Sequence, residues 1–143
     1  MLTDDELVAG FEAGSLAEFR HADHVRLTII YLVRHGRDEA LRRLSDGILR
    51  LATAARRPEK FHATMTRAWV ELIEAALTAY PQAASPEALM AACPELLDRN
   101  ALLRYYSRER LESPRARAEW LPPDLGSDPG AFNRDCLPHH TEL

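Results

Sequence analysis

EKFHATMTRAWVELIEAALTAY, residues 59–80, is the stretch on which the fold class turns. Phe61, Met65, Trp69, Leu72, Ile73 and Ala76 recur at steps of three and four, the period that lines side chains along one stripe of an α-helix. Pro81 follows and cannot continue a helix, so the spacing predicts a helix from about Glu59 to Tyr80.

Working upstream, Leu41, Leu44, Ile48 and Leu51 carry the same period, with Asp38 as the expected N-cap and Arg56, Arg57 and Pro58 as the break. Before them, Val25, Thr28, Ile29 and Leu32 mark a helix from His21 to about His35 that stops at Gly36. Thr3 and Glu6 have the spacing of a capping box, in which hydroxyl and carboxylate each satisfy an orphan N–H, so a first helix is expected from about Asp4 to Ala13. Downstream, Ser85 and Pro86 are an N-cap and N1 pair leading to Cys93, and Pro94 resets the chain. A short helix is expected from Asp98 through Leu102, Leu103 and Tyr106, and one more turn from Ser113 and Pro114 to near Trp120. Residues 121–143 are rich in Pro, Gly and Asp without a period, which predicts an extended C-terminal tail that either wraps the body or is partly disordered. The expected fold is all-α, a single domain over residues 1–120. It is read as a bundle of four longer helices plus short C-terminal ones.

The 143 residues, 46% hydrophobic and 28% charged, are enough for one domain with its own core, so neither disulfide nor metal is needed to hold it together. A net charge of −4 argues against a nucleic-acid surface, which needs concentrated positive charge to displace counterions from phosphate. Lys60 is the single lysine among 18 basic residues. Cys93 and Cys136 lie in unlike settings and do not form a disulfide framework. The acidic start MLTDDELVAG is unlike a secretion signal, and no apolar run approaches the length of a membrane span. A cytoplasmic location is therefore expected, with no membrane and no nucleic acid as partner.

His21, His24 and Thr28 stand at steps of three and four, hence on one helix face within about 5–6 Å of one another at Cβ, and Val25 and Leu32 make that face apolar. Glu59, His62 and Thr66 repeat the arrangement on the helix that carries Trp69 and Ile73. Glu59 to His62 is a Glu-x-x-His step, the spacing by which helical bundles bring two ligands to one metal. Should the two helix starts meet, His21, His24 and His62 are placed to bind one divalent transition metal, zinc or iron. Glu59 would be a fourth ligand or general base, with Thr66 and Tyr106 orienting water or substrate. The competing reading of each histidine taken singly is a core or capping ring bonded to a backbone carbonyl or to Asp23. Arg26, Arg67 and Arg104 lie one or two turns away and are candidate clamps for an anionic group, against the commoner reading of solvent-facing arginine. Tyr105 and Tyr106 read more simply as core aromatics, and His139 and His140 as tail surface.

The stretches FRHADHVRLTIIYL, FHATMTRAW and LLRYYSRERLESPRAR together resemble a family of small bacterial helical proteins whose activity is uncharacterised. The shared pattern is His-x-x-His-x-Arg, then an aromatic residue with His-x-Thr-x-Thr-x-Ala-Trp, then Tyr-Ser and a final Ala-Arg, over roughly residues 19–120. The resemblance implies a site drawn from His21, His24, Arg26, His62, Thr64, Thr66, Trp69, Tyr106 and Ser107, and implies no reaction.

Three functions follow as expectations. The first is a metal-binding helical protein, an enzyme acting on a small-molecule substrate at His21, His24 and His62. The second keeps the histidines as acid/base groups of a metal-independent lyase or isomerase, with Arg26 or Arg67 holding an anionic substrate. The third is a non-enzymatic adaptor or homo-oligomer in which Trp69, Trp120 and the tail engage a partner chain. A helical bundle hosts many activities, so the fold does not rank these three.

Overall fold

The computed structural model describes residues 1–125. Among them are seven α-helices joined by turns, with no strand: α1 (Asp4–Ala13), α2 (His21–His35), α3 (Arg37–Ala54), α4 (Ala63–Ala79), α5 (Pro86–Ala92), α6 (Arg108–Leu111) and α7 (Pro114–Ala118). The chain is all-α, as the periodicity predicts. No described helix is long and apolar enough to cross a membrane.

The start of α1 is the capping box read from Thr3 and Glu6. The Thr3 hydroxyl accepts from the Glu6 N–H at 3.1 Å and the Glu6 carboxylate accepts from the Thr3 N–H at 2.8 Å. Gly36 closes α2 and opens α3 in one residue, at φ +84°, a conformation that strains any residue with a Cβ. That abutment moves the N-cap of α3 from the expected Asp38 back to Gly36. From Leu27 to Leu32, α2 is buried on every side, so it is the central helix, with α1, α3, α4 and α5 packed around it. Leu7 and Phe11 of α1, Leu44 of α3, and Leu72 and Ile73 of α4 complete the core. Gly47 of α3 lies beneath the Phe11 ring, where an added Cβ would come within 2.1 Å of it.

The largest departure from the expected elements is at the start of α4. Pro58 opens a 3₁₀ turn over Pro58–Lys60, Phe61 and His62 are extended, and the helix begins only at Ala63 with His62 as its N-cap. Apolar spacing at Phe61 and Met65 cannot register this break, because a capping residue and a first-turn residue lie on nearly the same face. Beyond α5, the expected helix from Asp98 is replaced by two 3₁₀ turns, Pro94–Leu97 and Ala101–Arg104, and the Asp98 carboxylate accepts from the Asn100 N–H at 2.9 Å, an Asx turn. Ser107 caps α6, an element that apolar spacing does not announce because it is barely one turn long.

Residues 119–125 cross this C-terminal region as a strap. The Thr64 hydroxyl donates to the Glu119 carbonyl at 2.7 Å and accepts from the Leu121 N–H at 3.0 Å, and the Tyr106 hydroxyl donates to the Leu121 carbonyl at 2.7 Å. Further along, the Asp124 carboxylate accepts from both the N–H and the hydroxyl of Ser107, and the Leu125 N–H donates to the Tyr105 carbonyl. Residues 121–125, at the start of the expected tail, lie against the body, and Leu121 is buried. Cys136, His139 and His140 lie outside the described residues.

Candidate functional site

The histidines singled out by sequence do not converge. His62 is buried, and both its ring nitrogens are engaged. Nδ1 accepts from the Met65 N–H at 3.0 Å as the N-cap of α4, and Nε2 donates to the Leu111 carbonyl at 2.7 Å. Burial holds its pKa below the ordinary histidine range, the Leu111 bond opposing that shift and Arg117 adding to it. A ring that donates from one nitrogen and accepts at the other has no lone pair left for a metal or for a substrate proton. Glu59 is exposed in the 3₁₀ turn, off the helix, and its backbone carbonyl accepts from Arg117 at 3.2 Å. The Glu-x-x-His step therefore brings no two ligands together.

Thr66 and Tyr106 are also satisfied within the fold. The Thr66 hydroxyl donates to the His62 carbonyl one turn back at 2.8 Å, and Thr28 does the same to the His24 carbonyl. Tyr106 is fully buried, and burial, its main cause, raises the phenol well above its ordinary pKa, so it stays protonated and donates to the strap. Thr64 and Ser107 are strap anchors, as described above. Thr64, Tyr106 and Ser107, which the family resemblance selects, thus join α4 and the start of α6 to the strap, whereas Thr66 is bonded within α4.

His21 and His24 form a separate group with Phe19 and Trp69. The two imidazole centroids lie 6.3 Å apart, and that of His21 lies 4.7 Å from Trp69. His21 Nε2 donates to the Leu96 carbonyl at 2.9 Å, tying α2 to the turn after α5. His24 keeps some accessible surface as a residue, but its Nε2 is sealed from solvent and has no hydrogen-bond partner among the described residues. Burial, with the nearby His21 as a lesser cause, lowers its pKa to about 4, so the ring is neutral at ordinary pH. Among the described residues no three His, Cys, Asp or Glu side chains are gathered as a metal would require. The expected three-histidine centre is thus not assembled there, because His62 caps a helix instead of joining the pair on α2.

Arg26 is engaged as well. Its guanidinium, with the side chain 11% exposed, lies 2.8 Å from the Asp4 carboxylate and 3.4 Å from that of Glu87, linking α2 to α1 and α5. Arg67 pairs with Glu71 at 2.7 Å and stacks 4.3 Å over the Trp120 ring. Both arginines are thus held in ion pairs within the fold.

Sequence reasoning missed a pocket of about 200 Å³ between the start of α4, the turn at Ala101–Arg104, α6 and α7. Its apolar wall is Met65, Leu102, Leu103 and Leu111, His62 borders it, and Arg99, Arg108 and Arg117 surround it with Glu112 as its one carboxylate. Arg108 meets Glu112 at 3.3 Å in an exposed pair, the kind of contact that water and salt weaken readily. The signal was present in the chain: residues 99–117 hold six arginines and two glutamates inside a protein of net negative charge. What the sequence lacked was a period that would place those arginines on one rim.

Fold and site together define an all-helical protein in which His21 and His62 are bonded to backbone carbonyls, the His24 Nε2 is sealed without a partner among the described residues, and arginines line a small pocket. No family model, no curated protein and no solved structure matches the chain.

Proposed function

We propose that the chain binds a small anion, one bearing a carboxylate or phosphate, in the pocket ringed by Arg99, Arg108 and Arg117, without using a metal. The observation that carries this reading is that three arginines from three separate segments, the turn at 99–100, α6 and α7, line one apolar-walled hollow. Guanidinium offers paired N–H donors that match carboxylate and phosphate oxygens, and low-dielectric walls focus the positive field into the hollow. A volume of about 200 Å³ is below the range of pockets for drug-sized ligands, so the ligand is small. His62 is a neutral wall residue here, with no proton-transfer role, because both its nitrogens are bonded within the protein. This retains the anionic ligand of the metal-independent reading and moves it from Arg26 and Arg67 to three other arginines.

Calorimetric titration at low salt with inorganic phosphate, acetate and succinate tests the reading. At least one of these is expected to bind, with affinity unaffected by a strong chelator and weakened about three- to tenfold by Arg99→Ala or Arg108→Ala. That range is at or below what a charge-assisted hydrogen bond contributes, since these guanidiniums are exposed. Silence from all three anions, or binding indifferent to both substitutions, would reject the pocket. Binding that disappears with chelator would return the protein to the metal-dependent reading.

A further inference from the structure

We infer that a second site, independent of the arginine pocket, takes an organic cation with an apolar body. The site is a cleft of about 650 Å³ between α1, the connector at residues 15–18, the first turns of α2, and α5. Its volume falls within the range of pockets that enclose drug-sized molecules.

Two properties specify the occupant. The first is an apolar interior: Leu7, Leu16 and Met90 line the cleft, and Met1 and Leu2 border it as exposed apolar side chains. Apolar groups that stay in water at the rim of a hollow gain free energy from any apolar body placed between them, at roughly 25 cal/mol per Å² covered. The second is charge. Glu6, Glu18, Asp23 and Glu87 line the same cleft, against two cations, Arg26 and the Met1 ammonium, the latter close enough to Glu6 to help lower its pKa. Arg26 is already held by Asp4 and Glu87, so it presents little free positive charge to an incoming anion.

The carboxylates keep acceptor capacity after their bonds within the protein are counted. Glu6 accepts from the Thr3 N–H, Asp23 from the Arg20 N–H, and Glu18 meets Arg20 in an exposed pair, whereas an ionised carboxylate has about four acceptor positions. An ammonium group at the mouth would complete them while its hydrocarbon covers the floor. A carboxylate or phosphate there would meet like charge, which costs binding energy and excludes it. Opposite charge preferences separate this cleft from the arginine pocket.

Octylammonium, octanol and octyl sulfate share one tail and differ in head charge, so titrating each into the full-length protein tests the inference directly. Octylammonium is expected to bind best, octanol more weakly and octyl sulfate least. Glu18→Gln and Glu87→Gln should each weaken octylammonium by up to about fivefold with little effect on octanol, the range for partly exposed charge pairs. Ala22 is exposed and lines the cleft, so Ala22→Trp should block all three without disturbing the core. Equal binding of the three tails, preference for the sulfate, or unchanged octylammonium binding in Ala22→Trp would each overturn the assignment. None of these results bears on the anion titrations, since no residue is shared between the two hollows.

Discussion

His24 is the residue where local chemistry is most exposed to test. The ring nitrogen without a partner is tolerable only in the neutral form, and burial holds the folded pKa at about 4 against an ordinary 6.5. As pH falls below 6.5 the unfolded chain takes up a proton that folded His24 refuses, so the unfolded state binds more protons and stability declines. The shift corresponds to about 3 kcal/mol, lost progressively between roughly pH 6.5 and 4. Chemical denaturation of wild type and His24→Phe across that range should show a shallower decline in the variant. Parallel curves would mean that His24 is not the buried group described. His62, lowered in the same direction, leaves part of the slope in both proteins.

Gly47 of α3 faces the Phe11 ring with no room for a side chain. Replacing a helical glycine by alanine ordinarily gains about 1 kcal/mol of helix propensity. Here the new methyl would fall within 2.1–2.2 Å of the Phe11 ring, and overpacking a core costs about 1–3 kcal/mol. Gly47→Ala is therefore expected to lower the melting temperature, and Gly47→Ala with Phe11→Leu to recover part of the loss. A stabilised single variant would show that Phe11 moves aside freely.

Between elements, the strap at residues 119–125 matters most, because it joins α4 to the start of α6. Thr64 holds the strap at two points at once, donating to the Glu119 carbonyl and accepting from the Leu121 N–H. Thr64→Val keeps the shape and removes both bonds, leaving the buried Leu121 N–H without a partner. The expected cost is about 2–3 kcal/mol, since an unsatisfied buried donor loses its full desolvation penalty. Hydrogen exchange at the Leu121 amide should accelerate in the variant more than exchange in α2. An unchanged melting temperature would sink the view of Thr64 as a joint. The same element explains why a fingerprint of histidine, threonines, tyrosine and serine suggested a site: buried polar side chains are placed with as much specificity to close a fold as to handle a ligand.

For the molecule as a whole, charge is distributed unevenly along the chain. Residues 1–24 hold six carboxylates and one arginine, while residues 99–117 hold six arginines and two carboxylates. The net charge of −4 conceals that asymmetry, and each of the two proposed sites draws on one of these stretches. Binding at both is expected to weaken as salt rises through physiological strength, since both rims are exposed and a Debye length of about 8 Å screens them. An affinity for octylammonium that survives high salt would point to its tail alone.

Helix positions, caps at Thr3, Ser85 and Ser113, and the stop at Gly36 were legible in the sequence because each depends on neighbours within one or two turns. The role of His62 was not, because the three residues between a helix start at Glu59 and a cap at His62 are set by Pro58 and by the Leu111 carbonyl 49 positions away. Likewise the arginine pocket exists only where short turns from 99 to 117 fold back on the start of α4, and no periodicity records that meeting. Local hydrogen bonding and hydrophobic period fixed what the elements are; long-range packing alone decided which polar groups close the fold and which remain open to a ligand.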